Sequence, residues 1–254
     1  MILQSVGILL LVLMAILFKG SGHDNNTVWL KPYWWGILGL IGWAYLLCAL
    51  IFLFSKGSLR ILTAALLFFL LFNIAAHAGW LRFLDDIKRY IWIVGDGSMP
   101  ALTMGGIVTS IVYRKLGIKE NRRILWMVMA GMAISMLLLG YALRPFWGIS
   151  KIRATPAWVM ICTALSIASF ALLIYLLDIK RKQKWFDIIK PAGTSTLTCY
   201  LLPYIHYAIL NLIGISLPLI LRTGMIGITK SLLYALIIIV IAGLFEKMRI
   251  RLKV

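Results

Sequence analysis

The sequence predicts an all-α protein, a polytopic bundle of transmembrane helices with about eight spans. Of its 254 residues, 62% are hydrophobic, whereas soluble domains are about half apolar. The apolar residues come in blocks of 16 to 21 separated by short charged links, and a helix needs about 20 of them to cross a bilayer. The predicted spans are residues 2–18, 34–54, 61–80, 97–113, 124–143, 157–177, 197–215 and 228–246.

The first span is interpreted as a membrane helix rather than a signal peptide. No basic residue precedes its apolar run, Lys19 follows the run, and a small-x-small cleavage site is lacking. The later spans show no internal repeat, and no link between them is long enough to separate two soluble domains. We therefore expect residues 1–254 to form a single transmembrane domain.

The fourth span follows a polar turn, "DGSMP", that suits the start of a helix. The free amide groups of the first turn favour a carboxylate at Asp96. Pro100 also suits the first turn, because its missing amide proton costs no hydrogen bond there. Small residues in the span predict that another helix approaches closely. This predicted small-residue face consists of Gly105, Gly106, Thr109 and Ser110.

The distribution of basic residues predicts the orientation. Of the 26 lysines and arginines, 16 lie at the C-terminus or in the links between spans 2 and 3, 4 and 5, and 6 and 7. The positive-inside rule places these in the cytoplasm, together with both termini. Basic loops that meet anionic lipid account for the net charge of +18. We therefore expect the lipid bilayer as a partner and no nucleic acid.

Polar and aromatic residues gather on the predicted outer side, as in a sugar-binding cleft. Aromatic faces stack on the apolar side of a sugar ring, and ionic groups bond its hydroxyls. Two alternatives remain open, an aromatic-belt role for Trp147 and a helix-capping role for Asp96. The predicted substrate-binding residues are Asn73, Asp96, Trp147 and Lys151.

Three titratable residues, His77, Asp96 and His206, are the candidates for a catalytic role. His77 lies four residues after Asn73 and therefore on the same helix face. His206 lies within the seventh span, and a titratable side chain at membrane depth is a functional candidate. The alternative for each histidine is a bond to a neighbouring carbonyl or hydroxyl group.

The start of the seventh span, "KPAGTSTLTCYLLP", combines a turn with hydroxyl side chains on the predicted cytoplasmic side. Free amides at a helix start and hydroxyl donors favour an anion. We expect Lys190, Thr194 and Ser195 to contact a phosphate-bearing cofactor, and a helix cap is the alternative. The three cysteines have no CxxC spacing and no histidine cluster, so no metal site is predicted.

Five stretches, from about residue 34 onward, resemble the C-terminal part of the heparan-α-glucosaminide N-acetyltransferase family, including its bacterial members. The third and fourth carry most of the likeness. They are "YWWGILGLIGWAYLLCALIFL", "GDGSMPALTMGGIVTSIVYRK", "WGISKIRATPAWVMICTALSIASFALLIYLLD", "KWFDIIKPAGTSTLTCYLLP" and "IIIVIAGLFEKMRIRLKV".

The resemblance implies a membrane acyltransferase in the bacterial cytoplasmic membrane. Family members transfer an acetyl group from cytoplasmic acetyl-CoA to an amino sugar on the far side. The family's N-terminal helices, with their Asp-x-x-Arg-Gly stretch and catalytic histidine, have no match in this chain, and His77 and His206 do not fall on that histidine. We therefore expect a chain that lacks those helices, as a truncated product, a split subunit or a diverged protein without catalysis. The expected partners are a chain that supplies the missing helices or, otherwise, further copies in a homo-oligomer, and a non-enzymatic transporter or assembly subunit is the alternative function.

Overall fold

The computed structural model describes residues 2–21, 27–29, 36–84, 86, 93–117 and 122–248. These residues are almost entirely helical, which confirms the all-α prediction, and each predicted span overlaps a helix. The start of the second span, 34–35, lies outside the described residues. The long helices are α1 Ile2–Leu17, α2 Ile37–Phe54, α3 Leu59–His77, α4 Ser98–Gly117, α5 Arg122–Trp147, α6 Pro156–Ile174, α8 Thr196–Ile213 and α9 Gly224–Lys247, and α7 is the short helix Lys190–Thr194.

Five of the helices among the described residues are long and apolar enough to cross a membrane. Helix α4 is not among them, because its hydroxyl-bearing and basic side chains lower its hydropathy although it has 20 residues. Two further apolar helices are shorter, at Ser5–Leu17 and Gly39–Phe54. The five are Leu59–His77, Arg123–Trp147, Pro156–Ile179, Thr196–Ile213 and Gly224–Lys247.

A short antiparallel hairpin follows α1, and the sequence did not predict it. Strand β1, Lys19–Ser21, pairs with β2, Thr27–Trp29, in a register that sets Lys19 opposite Trp29. The ammonium group of Lys19 lies 5.6 Å from the centroid of the Trp29 ring. This distance is within the range of a cation–π interaction.

The chain divides into two compact units, residues 1–171 and 172–254. Compactness of this kind does not by itself define an independently folding domain. The single transmembrane domain therefore stays a prediction.

In the first unit, α4 packs against α2 and α3, and its small residues allow the close approach. A Cβ atom at Gly105 would lie 3.2 Å from Cγ2 of Thr163 in α6. Gly105 and Thr109 are buried, whereas Gly106 and Ser110 are exposed. The predicted small-residue face is thus divided, and its Gly105 half is the part that contacts helices of this chain.

In the second unit, the short helix α7 packs on α9. A Cβ atom at Gly243 would lie 2.9 Å from Cγ of Pro191. The glycine therefore lets the proline ring sit directly on the α9 backbone, which brings the Lys190–Ser195 segment beside the last turns of α9.

Candidate functional site

The first candidate site is built from the turn before α4 and the loop between α5 and α6. Gly95 and Gly97 have φ values of 60° and 82°, and Ala154 has a φ of 49°. A Cβ atom at Gly97 would lie 2.8 Å from the carbonyl oxygen of Phe69, so the turn rests directly on the α3 backbone. Left-handed backbone and close approach together require glycine at this position.

Asn73 of α3 joins these two segments. Its Nδ2 donates to the carbonyl oxygens of Asp96, at 3.1 Å, and Ala154, at 3.2 Å. The two acceptors define the orientation of the amide, because a flipped amide would set its oxygen against two carbonyl oxygens. The side chain is 1% exposed, and its Oδ1 has no hydrogen-bond partner among the described residues.

His77 and Trp147 form a second link between α3 and the α5–α6 loop. The Nδ1 and Nε2 atoms of His77 each lie 2.9 Å from a backbone carbonyl oxygen, of Asn73 and Arg153 respectively. Trp147 Nε1 donates to the carbonyl oxygen of His77 at 3.1 Å. A neutral imidazole donates to one of its two carbonyls and the imidazolium to both. With a backbone carbonyl oxygen at hydrogen-bond distance from each ring nitrogen, His77 links α3 to the loop, and its catalytic role stays a prediction.

Asp96 caps the turn that precedes α4. Its Oδ1 accepts hydrogen bonds from the backbone nitrogen of Ser98, at 3.0 Å, and from Ser98 Oγ, at 2.5 Å. A carboxylate at this place satisfies a free amide group of the first turn. The capping alternative considered for Asp96 is therefore observed, and substrate binding by its other oxygen stays a prediction.

These segments enclose a cavity of about 260 Å³, which we call the lip cavity. Two predicted substrate-binding residues, Asp96 and Lys151, line this cavity. The other two, Asn73 and Trp147, do not line it but form hydrogen bonds that hold the surrounding segments in place. Ser98, for which no role was predicted, also lines the cavity and is 3% exposed. Its position in the first turn after Asp96 is a signal that could have identified it.

The second candidate site lies between α8 and α9. His206 Nδ1 lies 2.9 Å from the hydroxyl oxygen of Tyr234, and the two ring centroids are 5.3 Å apart. Both residues lie near the middle of their helices and line an apolar cavity of about 620 Å³, together with Lys230. Tyr234 was not predicted, because a tyrosine in an apolar helix has no distinctive spacing. The signal available in the sequence was Lys230, which lies four residues before Tyr234 on the same helix face.

Two of the predicted phosphate contacts, Thr194 and Ser195, lie beside an acidic residue. Their hydroxyls lie 2.7 and 3.1 Å from the same carboxylate oxygen, Glu246 Oε2. In this arrangement both hydroxyls donate to a carboxylate. Lys190 is exposed, and phosphate binding by Lys190, Thr194 and Ser195 stays a prediction.

The cysteines and the metal-ligating residue types form no further site in the part of the chain that the structure describes. Cys48, Cys162 and Cys199 are free thiols within helices. No group of three or more His, Cys, Asp or Glu side chains is assembled among the described residues.

Comparisons with known proteins add no family assignment, because no protein-family model, curated protein or solved structure matches this chain.

Proposed function

We propose that this chain is a membrane acyltransferase in which His206 and Tyr234 form the acid–base pair. The observation that carries the proposal is the 2.9 Å contact between His206 Nδ1 and the Tyr234 hydroxyl at the wall of a 620 Å³ apolar cavity. A general base must lie beside the reacting group and be oriented by another residue. The contact with Tyr234 supports the orientation of the His206 ring, and the proposed reaction moves an acetyl group to an extracytoplasmic amino sugar or glycan.

The direction of the hydrogen bond decides what each group does. When Nδ1–H of His206 donates to the oxygen of Tyr234, Nε2 keeps a lone pair and accepts a proton from the attacking amine or hydroxyl. The Tyr234 hydroxyl is then left to donate to the carbonyl oxygen on which negative charge develops. The acceptor nitrogen or oxygen bonds to the acetyl carbonyl carbon, and the thioester C–S bond of acetyl-CoA breaks. His206 then returns the proton to the coenzyme A thiolate, so no net proton stays on the protein.

Acetyl-CoA, as co-substrate, supplies the activated acyl group in this proposal. From Thr196 to His206, α8 rises by about 15 Å at 1.5 Å per residue, comparable to an extended pantetheine arm. Lys190 in the short helix α7, six residues before Thr196, is assigned to the phosphates, with Lys182 and Lys184 nearby in sequence. Thr194 and Ser195 serve this site through Glu246, by holding the Lys190 segment on α9.

The lip cavity is assigned to recognition of the polar acceptor before transfer. Asp96 carries a carboxylate that attracts an amine, and Lys151 contributes an ammonium group that bonds hydroxyls. Asn73 takes part by holding the turn before α4 and the α5–α6 loop in place.

The proposal includes the membrane arrangement expected from the sequence. About eight helices cross the bacterial cytoplasmic membrane, both termini are cytoplasmic, and the chain acts with a partner chain that supplies the missing helices or as a homo-oligomer. The five long apolar helices support this arrangement.

A proton-coupled transporter is the second candidate, and one observation favours it. His206, Tyr234 and Lys230 place titratable groups at membrane depth around a cavity, as in proton relays. The two candidates differ in whether a covalent product forms.

The test is incubation of proteoliposomes with labelled acetyl-CoA and a panel of amino sugars. We expect labelled product from the natural chain, a loss of about 100-fold or more in His206→Ala, and a smaller loss in Tyr234→Phe. Tyr204→Phe is the matched control, since it removes a tyrosine hydroxyl that bonds Tyr200 at 3.1 Å on the same helix. Uptake of an amino sugar without acetylation, abolished by His206→Ala, would establish the transporter instead.

A further inference from the structure

A groove lies along the exposed side of α4, between this helix and α2. It has a volume of about 680 Å³, with walls formed by Tyr45, Phe52 and Leu53 of α2 and by Gly106, Ile107 and Arg114 of α4. A Cβ atom at Gly106 would meet no atom within 4 Å, so the missing side chain leaves the groove open along its length. The site is separate from the proposed acyl-transfer pair and from the lip cavity.

The serine and threonine hydroxyl groups in this groove are already bonded within α4. Thr103 Oγ1 donates to the carbonyl oxygen of Met99 at 3.0 Å, and Ser110 Oγ donates to that of Gly106 at 2.9 Å. The remaining wall is aliphatic or aromatic, apart from the hydroxyl of Tyr45 and one charged end. A mainly apolar groove whose serine and threonine hydroxyls are satisfied within the helix suits a hydrocarbon chain better than a sugar or a peptide.

The one charged end is formed by Arg114 in the last turn of α4. Its Nη2 lies 3.9 Å from the position that a Cβ atom of Gly57 would take, so Arg114 lies beside the turn between α2 and α3. This turn and its flanks carry Lys56 and Arg60, which are exposed, as is Lys115. Arg114 thus forms the charged end of the groove, and three further exposed basic residues lie close to Gly57 or Arg114 in sequence.

We propose that the groove binds an anionic phospholipid, with one acyl chain along α4 and the phosphate at Arg114. From Thr103 to Arg114, α4 rises about 16 Å, close to one leaflet of a hydrocarbon core about 30 Å thick. Basic pockets between membrane helices recognise anionic headgroups. The alternative occupant is a second helix packed over Gly106 and Ser110. Such a helix would explain the small residues of the groove but not the basic residues at and near its end.

The experiment is native mass spectrometry of the purified full chain after addition of phosphatidylglycerol or of phosphatidylcholine with the same acyl chains. We expect phosphatidylglycerol to be retained preferentially. Arg114→Gln should weaken its retention about five-fold, as expected for one charge at the membrane surface, whereas Lys115→Gln, which does not line the groove, should change it less. Gly106→Leu should displace both lipids, and Gly131→Leu is the matched control because Gly131 is also helical, exposed and without neighbours within 4 Å.

The results that would overturn the proposal are specific. Equal retention of the two lipids would exclude recognition of the anionic headgroup. Competition by glycerol phosphate as strong as that by the whole lipid would exclude a role for the acyl chain. A change of oligomeric state in Gly106→Leu with lipid retention unchanged would identify the groove as a helix interface. If Gly106→Leu does not fold, as judged by circular dichroism and size exclusion, Ser110→Leu on the exposed face fills the same groove and decides the question.

Discussion

Asn73 and Asp96 are joined by a hydrogen bond across 23 positions of sequence, from the side-chain Nδ2 of Asn73 to the backbone carbonyl oxygen of Asp96, at 3.1 Å. The same nitrogen reaches Ala154 in the α5–α6 loop. One buried amide therefore sets the positions of both segments that form the lip cavity.

Asn73→Ala should destabilise the protein by about 1–3 kcal/mol, because two carbonyl oxygens lose their donor. The measurement is unfolding in mixed micelles by titration with sodium dodecyl sulfate. Asn211→Ala is the control, since Asn211 is an exposed helical residue, and we expect a change within about 0.5 kcal/mol. Equal effects of the two changes would contradict a structural role for the Asn73 amide.

Gly97→Ala should destabilise the protein more than Gly148→Ala. Both glycines have positive φ, at 82° and 68°, so each change costs about 1–2 kcal/mol of backbone strain. Only at Gly97 would the new Cβ atom lie 2.8 Å from a backbone oxygen, whereas at Gly148 it meets no atom within 4 Å. The same unfolding titration should therefore show a further loss of at least about 1 kcal/mol at Gly97.

Asp96→Asn should separate the capping role of Asp96 from a binding role. Asparagine caps nearly as well as aspartate, so stability should change by a few tenths of a kcal/mol, whereas Asp96→Ala should cost about 1 kcal/mol. If the carboxylate also binds an amine, the Asn variant should be folded but should lose affinity for amino sugars in isothermal titration. Full affinity in that variant would leave Asp96 as a cap alone.

Charge changes beside α7 should alter coenzyme A binding in opposite directions. Lys190→Glu should weaken binding, because it replaces the cation assigned to the phosphates. Glu246→Gln should strengthen it by up to about five-fold, because it removes a negative charge from the hydroxyls of Thr194 and Ser195. Isothermal titration measures both effects, with Asp187→Asn as the control for general charge, and unchanged affinity in all three variants would exclude this segment as the phosphate site.

Reporter fusions should establish the orientation. A reporter fused after Val254 should be active only as a cytoplasmic reporter, and one inserted at Ile152 only as an extracytoplasmic reporter. Ile152 is 99% exposed, so an insertion there should not disturb the packing. The reverse pattern would overturn the predicted topology and, with it, the assignment of the lip cavity to an external acceptor.

The positions of the helices could be predicted from the sequence because they depend on local properties. In a bilayer, a chain segment satisfies its backbone hydrogen bonds within itself, so a long apolar run forms a helix whatever its neighbours are. The predicted spans at 197–215 and 228–246 accordingly overlap α8 and α9. The carboxylate before α4 was predicted to cap for the same local reason, since its partner Ser98 lies two residues away.

The partners of the polar side chains depended on the tertiary structure. Asn73 and His77 were predicted to share a helix face, but which carbonyl groups they meet is decided by the turn before α4 and the loop at Arg153. The sequence likewise showed hydroxyls at Thr194 and Ser195 that suit an anion, and the packing of α7 on α9 brings Glu246 to them, 51 or 52 residues further along the chain. The physical reason is one of range. A helix is stabilised by hydrogen bonds between residues four apart, whereas a polar site is assembled by contacts between distant segments, and no local pattern in the sequence records which segments meet.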